Sequence, residues 1–107
     1  MTADRQRLPN RRACETFAFE HGSMKYTASI ARYDDGRLAE IFISNHKIGS
    51  DTDAAAKDSA VICSIALQHG VPLETISHAL MRDARGNPSS PLGTALDLLV
   101  AQDEQTP

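Results

Sequence analysis

Residues 45–59, NHKIGSDTDAAAKDS, join a strand-like segment to a helix-like one and concentrate polar side chains at the junction. A helix N-terminus has unpaired N–H groups and a partial positive charge, so it attracts anions, and a nearby lysine would strengthen that attraction. The spacing therefore suggests a site for a nucleotide, another anion or a protein partner. Its candidate residues are Lys47, Gly49, Ser50, Asp51, Thr52 and Asp53.

Capping of the helix is the simpler interpretation of the same residues. Asp51 or Thr52 is suited to cap the helix, and Asp53 would interact favourably with the helix dipole. A bound phosphate would be repelled by both carboxylates, and the G-x-x-x-x-G-K-[ST] pattern of a phosphate loop is missing. A cation held by Asp51 and Asp53 is a third alternative. Capping alone is the preferred prediction.

The histidines and cysteines do not form a recognisable reactive or metal-binding pattern. His21, His46, His69 and His78 have neither each other nor a cysteine at metal-ligand spacing, so no metal, cofactor or catalytic residue is predicted. Cys63 falls in an apolar helical pattern and is expected to be an inert core thiol. The sequence gives no role for Cys14.

Charge divides the chain into a basic start and an acidic body. Residues 1–12 contain four arginines and one aspartate, whereas the rest holds seven basic and thirteen acidic residues. We therefore predict a basic flexible arm over 1–13, a single domain over 14–102 and a polar tail over 103–107. Arg11 and Arg12, in the basic arm, are candidate contacts with a partner. No apolar run is long enough for a membrane span or a signal peptide, which predicts a cytoplasmic protein without a membrane partner.

Hydrophobic periodicity predicts the elements that would position these residues. Alternating patterns indicate strands over 15–20, 24–33 and 38–44, with Asp35-Gly36 in a tight turn. Helical patterns follow from 52 or 53 to 69, over 72–83 and over 91–102, with Ser90 as a cap before Pro91. The predicted class is α+β: a three-stranded antiparallel meander followed by three helices packed on one face, in the order β-β-β-α-α-α.

The first helical pattern is apolar around much of its circumference, so we expect it to be the central buried helix. Its main stripe comprises Ala56, Ala60, Cys63 and Leu67, widened by Val61, Ile62, Ile65 and Ala66. The later helices would bury Leu73, Ile76, Ala79 and Leu80, and then Leu92, Ala95, Leu96 and Leu99. The open sheet and the small residues of the first helix are compatible with a homodimer.

Most of the chain resembles the TSCPD domain, the C-terminal module of adenosylcobalamin-dependent (class II) ribonucleotide reductases, which also occurs as short stand-alone proteins. The resemblance covers about residues 7–100 and begins with RLPNRR. Its motifs are Tyr33-Asp34-Asp35-Gly36, EIFI at 40–43, KIGS at 47–50 and ALQHGVPLE at 66–74. Where the family has the Thr-Ser-Cys-Pro-Asp stretch, this chain has Ser89-Ser90-Pro91-Leu92. Ser90 thus replaces the family cysteine, and a serine there caps a helix but is ill suited to redox or metal chemistry.

The resemblance implies a deoxyribonucleotide-synthesis context, although 107 residues cannot hold the reductase catalytic barrel. The leading hypothesis is a non-catalytic binding or regulatory module that acts through contacts with a ribonucleotide reductase subunit or a nucleotide. One alternative is an auxiliary piece of a ribonucleoside-diphosphate reductase enzyme. Another is a small nucleic-acid-associated protein that uses its arginine arm.

Overall fold

The computed structural model describes residues 4–9, 13–47 and 49–105. Within these ranges three antiparallel strands precede three helices, which confirms the predicted α+β class and element order. None of the described helices is long and apolar enough to cross a membrane. The elements are β1 Glu15–His21, β2 Met24–Arg32, β3 Leu38–Asn45, α1 Asp51–Gln68, α2 Leu73–Ala79 and α3 Pro91–Gln105.

The sheet is a meander in the order β1-β2-β3. Its register places Phe17 of β1 opposite Ala28 of β2, and Ile30 of β2 opposite Ile41 of β3. The predicted turn between β2 and β3 is present, and Gly36 has a φ of +93°, a conformation that favours glycine. Alternation directs one set of side chains from each strand towards the helices.

The core lies between that sheet face and the helices. The predicted stripe of α1 and the predicted core positions of α3 are all buried, so both predictions are confirmed. They pack with buried strand residues in a single cluster. The members of the cluster from the sheet are Phe19, Tyr26, Ala28, Ile30, Leu38, Ile41 and Ile43.

The prediction that α1 is the central buried helix is wrong, because residues expected to widen its buried stripe are exposed. Val61, Ile62 and Ile65 are 45%, 69% and 38% exposed. The helix lies against β3 and directs only part of its circumference towards the protein. Its remaining apolar side chains therefore face solvent.

Helix α2 is shorter than predicted because a small hairpin replaces its last turns. Leu80 is extended, with a ψ of 152°, and Arg82 pairs with Pro88 in an antiparallel bridge. The Asp83 carboxylate accepts the N–H groups of Arg85 and Asn87, which favours this turn over a continued helix. The prediction that Ala79, the last residue of α2, lies in the core is wrong, because it is exposed.

Helix α1 also covers the outer edge of β3. The Ser64 hydroxyl accepts the N–H of Ile41 and donates to its C=O, both at 2.9 Å. Gln68 Nε2 donates to the C=O of Ala39 at 3.1 Å. Ser64 and Gln68 are buried, and these bonds give their polar side chains hydrogen-bond partners. The same bonds pair backbone groups at the edge of β3 that would otherwise lack partners.

Candidate functional site

The junction of β3 and α1 holds most of the residues that the sequence singled out. Ser50 is the N-cap, because its Oγ accepts the N–H of Asp53 at 3.1 Å. The expectation that Asp51 or Thr52 would cap is wrong, and both residues are exposed in the first turn. The chain reaches the cap through Gly49, which has a φ of +83°. The turn at Gly49 leads directly into Ser50, so Ser50 rather than a later residue caps the helix.

Asp53 links the strand, the loop and the helix. Its side chain is buried, and Oδ1 accepts the N–H of Asn45 at 2.9 Å. Oδ2 accepts the N–H of Gly49 at 3.1 Å and lies 3.0 Å from Nζ of Lys57. The Lys57 contact, followed by the two backbone hydrogen bonds, lowers the pKa of Asp53 from its ordinary value of 3.8. Its carboxylate stays ionised and acts as a structural anchor.

These contacts bear directly on the ligand alternatives for this junction. The Asp53 carboxylate lies in the first turn of α1, close to where an anion would bind, and it would repel that anion. Lys57 already supplies the positive charge next to it. Lys47 is exposed, and its backbone N–H donates to Asn45 Oδ1 at 2.8 Å. The geometry favours capping and anchoring, while a ligand role for residues 47–53 stays a prediction.

Ser90, which the sequence predicts as a helix cap, lies immediately before α3. Its Oγ accepts the N–H of Gly93 at 3.1 Å, which is the hydrogen bond of an N-cap. Gly93 packs tightly here, since a Cβ at this position would lie 3.0 Å from Pro88 Cβ and 3.2 Å from Ser90 Oγ, and these neighbours would have to shift by a few tenths of an ångström. The serine therefore contributes to the start of α3.

The basic arm is described only in part. Arg11 and Arg12 lie outside the described residues. Nearer the N-terminus, Arg5 Nε donates to Gln68 Oε1 at 2.6 Å, and the Gln6 N–H donates to the C=O of Gln68 at 2.8 Å. The Tyr33 hydroxyl donates to the C=O of Gln6 at 2.5 Å. This part of the arm thus contacts the end of α1 and the β2–β3 turn, whereas the limits of the arm stay a prediction.

The turn between β2 and β3 is surrounded by hollows that the sequence did not suggest as a site. Two of them, of about 550 and 520 Å³, share Arg32 and Asp35. The Arg37 side chain lies over the Tyr33 ring at 4.8 Å and pairs with Asp35 at 2.7 Å. Arg32 lies 3.5 Å from Asp103 on α3. The guanidinium groups of Arg32 and Arg37 are each matched by a carboxylate, which weakens the case for an anion site beside them.

The two cysteines differ in their surroundings. Cys63 is buried, as predicted, and burial raises the pKa of its thiol to about 11. It stays protonated at physiological pH and is a poor nucleophile. Cys14 is exposed. Among the described residues, no group of three or more histidine, cysteine, aspartate or glutamate side chains is arranged to hold a metal ion.

Exposed apolar side chains mark a different kind of candidate site. Val61, Ile62 and Ile65 occupy neighbouring positions on α1, opposite its buried stripe. We call these three residues the α1 apolar face. The hydrophobicity of the helix was evident in the sequence, but periodicity alone assigned these side chains to the core.

Comparisons with known proteins agree on one family. The TSCPD domain family matches residues 2–102. A vitamin B12-dependent ribonucleotide reductase of Agrobacterium fabrum is 39% identical over 74 residues, which are 69% of this chain and 6% of the relative. Those of Bradyrhizobium diazoefficiens and Rhodopirellula baltica are 39% and 38% identical over 66% and 67% of this chain. The chain spans 6% and 7% of their lengths. No solved structure matches the chain significantly.

Proposed function

The chain belongs to the TSCPD domain family, and we propose that it is a non-catalytic module that binds a B12-dependent ribonucleotide reductase polypeptide and regulates it. In the relatives named above, the matching segment forms 6–7% of a much longer chain. A module of this kind can influence the remainder of a reductase only through its surface. The proposal therefore requires a surface that fits a protein partner.

The α1 apolar face is the observation that carries the proposal. Ile62 is 69% exposed in the middle of a well-formed helix, and Val61 and Ile65 lie beside it. Full burial of one such side chain is worth roughly 1.5–3 kcal/mol, so three of them can contribute substantially to binding. Exposed Lys57 and Asp58, one turn earlier, provide the polar rim that protein interfaces usually have.

Three ionisable groups have pKa values that are shifted by contacts within the fold. Asp97 has a lowered pKa because Arg82 holds it through two hydrogen bonds, at 2.7 and 2.8 Å, with a further bond from Ser77. Asp53 is held by Lys57 and backbone N–H groups, and Cys63 is buried and protonated. Each of these groups is perturbed by a contact that stabilises the fold.

Binding to a purified B12-dependent ribonucleotide reductase tests the proposal. The reductase is used intact and with its own matching segment removed, because removal would vacate the surface on which this chain would dock. We expect tighter binding to the shortened reductase, measured by biolayer interferometry. Reductase turnover with and without the added chain reports regulation.

Ile62→Asp places a charge in the centre of the α1 apolar face and should raise the Kd at least about tenfold. Met81→Asp is the matched control: Met81 is 76% exposed, but it follows α2 and lies outside the face. This control should bind like the parent chain. Undetectable binding of the parent chain, or equal losses in both variants, would refute the proposed contact.

A further inference from the structure

The two edges of the sheet differ in how they are covered. Side chains of α1 hydrogen-bond to the outer edge of β3, whereas β1 has β2 as its only strand neighbour in the described sheet. No described residue outside the sheet forms a backbone hydrogen bond with Glu15–His21. The sequence of β1 has no proline or lysine, and its register has no bulge, so three of the usual protections of an edge strand are missing, although Glu15 and Glu20 are charged.

The register shows which backbone groups of β1 point outwards. Ile41 directs its N–H and C=O to Ser64, away from β2, so Ile41 and its partner Ile30 form a non-hydrogen-bonded pair. The N–H and C=O of Ile30 therefore point away from β3 and towards β1. Ile30 pairs with Glu15, and the direction alternates along a strand. Consequently Thr16, Ala18 and Glu20 present their N–H and C=O groups at the open edge.

Apolar side chains lie beside this edge. A groove of about 370 Å³ runs between β1 and α3 and is lined in part by Phe17, Leu98 and Leu99. Leu98 is 48% exposed, and Phe17 is half-buried although it packs against the core. A strand added to β1 would cover both side chains while pairing the open backbone groups.

We propose that the added strand is β1 of a second copy of this chain, paired antiparallel with Ala18 opposite Ala18 of the copy. In this register each of the three outward-facing residues lies opposite an outward-facing residue of the copy. Thr16 lies opposite Glu20 of the copy, and Glu20 lies opposite Thr16 of the copy. Each of these pairs exchanges two backbone hydrogen bonds. Shifting the centre by one residue in either direction leaves one outward-facing residue on each copy without such a partner.

The side chains agree with the same register. Phe17 lies opposite Phe19 of the copy on the core side, which extends the apolar layer across both molecules. Glu15 lies opposite His21 of the copy, and neither glutamate of β1 lies opposite another glutamate. The two meanders then form one continuous antiparallel sheet. This pairing uses β1, not the α1 apolar face, so it stands or falls independently of the proposed reductase contact.

Charge substitutions at Ala18 test the pairing and its register. Ala18 is exposed in the single chain, so lysine or glutamate should be tolerated there. In the proposed dimer, residue 18 of one copy lies directly opposite residue 18 of the other. Ala18→Lys and Ala18→Glu therefore each place two like charges on directly opposite residues. We expect a dimer of the parent chain in sedimentation equilibrium, and a Kd raised up to roughly fivefold in each variant alone.

An equimolar mixture of Ala18→Lys and Ala18→Glu should restore dimers, because unlike charges then face each other. Ser44→Lys lies on the same sheet face but on β3, and it should leave the dimer unchanged. The proposal is overturned if the parent chain stays monomeric at about 1 mM, or if neither Ala18 variant weakens the dimer. Weakening without restoration in the mixture would overturn the Ala18-centred register.

Discussion

Asp53 illustrates how one side chain can have a larger role than its place in the sequence suggests. As an acidic residue in the first turn, it was expected to interact with the helix dipole. In the structure its two oxygens also hold the N–H groups of Asn45 and Gly49, and Lys57 lies beside them. It therefore connects the end of β3 to the start of α1 and fixes the loop between them.

Asp53→Asn should lower the melting temperature at neutral pH, because the amide accepts these hydrogen bonds less strongly and loses the Lys57 ion pair. The lowered pKa sets the pH dependence. The ionised Asp53 carboxylate contributes its full stabilisation of the fold above the ordinary pKa of 3.8. This stabilisation is lost as pH falls through the still lower pKa of Asp53 in the folded state. The difference in melting temperature between the parent and Asp53→Asn should shrink in that acidic range.

Asp51→Asn is the matched control, because Asp51 is exposed two positions earlier in the same turn. It should cause a smaller loss of stability, of about 0.3–1 kcal/mol from the dipole alone. Thermal unfolding followed by circular dichroism between neutral and acidic pH compares the three proteins. Equal effects of the two substitutions would contradict the anchoring role.

Helix α1 shows at the scale of the element why periodicity was insufficient. One strip of the helix packs in the core, a second satisfies the edge of β3 through Asp53, Ser64 and Gln68, and a third, the α1 apolar face, is exposed. The polar strip has helical spacing and was visible in the sequence. It was overlooked because isolated polar residues in an apolar helix do not reveal a strand edge as their partner.

Ser64→Ala should destabilise the fold by roughly 1–3 kcal/mol, because the N–H and C=O of Ile41 would lose their hydrogen bonds in a buried site. Ser59→Ala is a control on the same helix, since the Ser59 hydroxyl donates within its own turn, to the C=O of Ala56 at 2.9 Å. Its effect should stay within about 0.5 kcal/mol. Urea denaturation measures both values, and similar losses would show that the edge contact contributes little.

The whole molecule combines a closed sheet edge with an open one. The β3 edge is covered by α1, whereas no described residue outside the sheet forms a backbone hydrogen bond with β1, although α3 lies near it. The backbone groups at the β3 edge therefore have hydrogen-bond partners within the domain, whereas the outward-facing groups of β1 are available for the proposed pairing. It also separates two surfaces, the α1 apolar face and the β1 edge, on different elements.

Amide hydrogen exchange should reveal this asymmetry across the molecule. The N–H groups of Ile41 and Asn45 are held by Ser64 and Asp53 and should exchange slowly at all protein concentrations. Those of Thr16, Ala18 and Glu20 should exchange rapidly in dilute solution and become protected as the concentration rises. Nuclear magnetic resonance resolves these amides individually, and fast exchange at Ile41 would contradict the proposed edge cover.

The sequence by itself determined the order of strands and helices, the turn at Asp35-Gly36, the main stripe of α1 and the family. Alternation, helical spacing and glycine conformation are local properties, so they survive without knowledge of the fold. Only the tertiary structure decided which apolar residues of α1 face solvent and which hydrogen bonds Asp53 makes. Spacing fixes the angles between side chains around a helix, but not which of them faces the sheet. That choice depends on burying the stripe and satisfying the edge of β3 at the same time, and both involve residues distant in the chain.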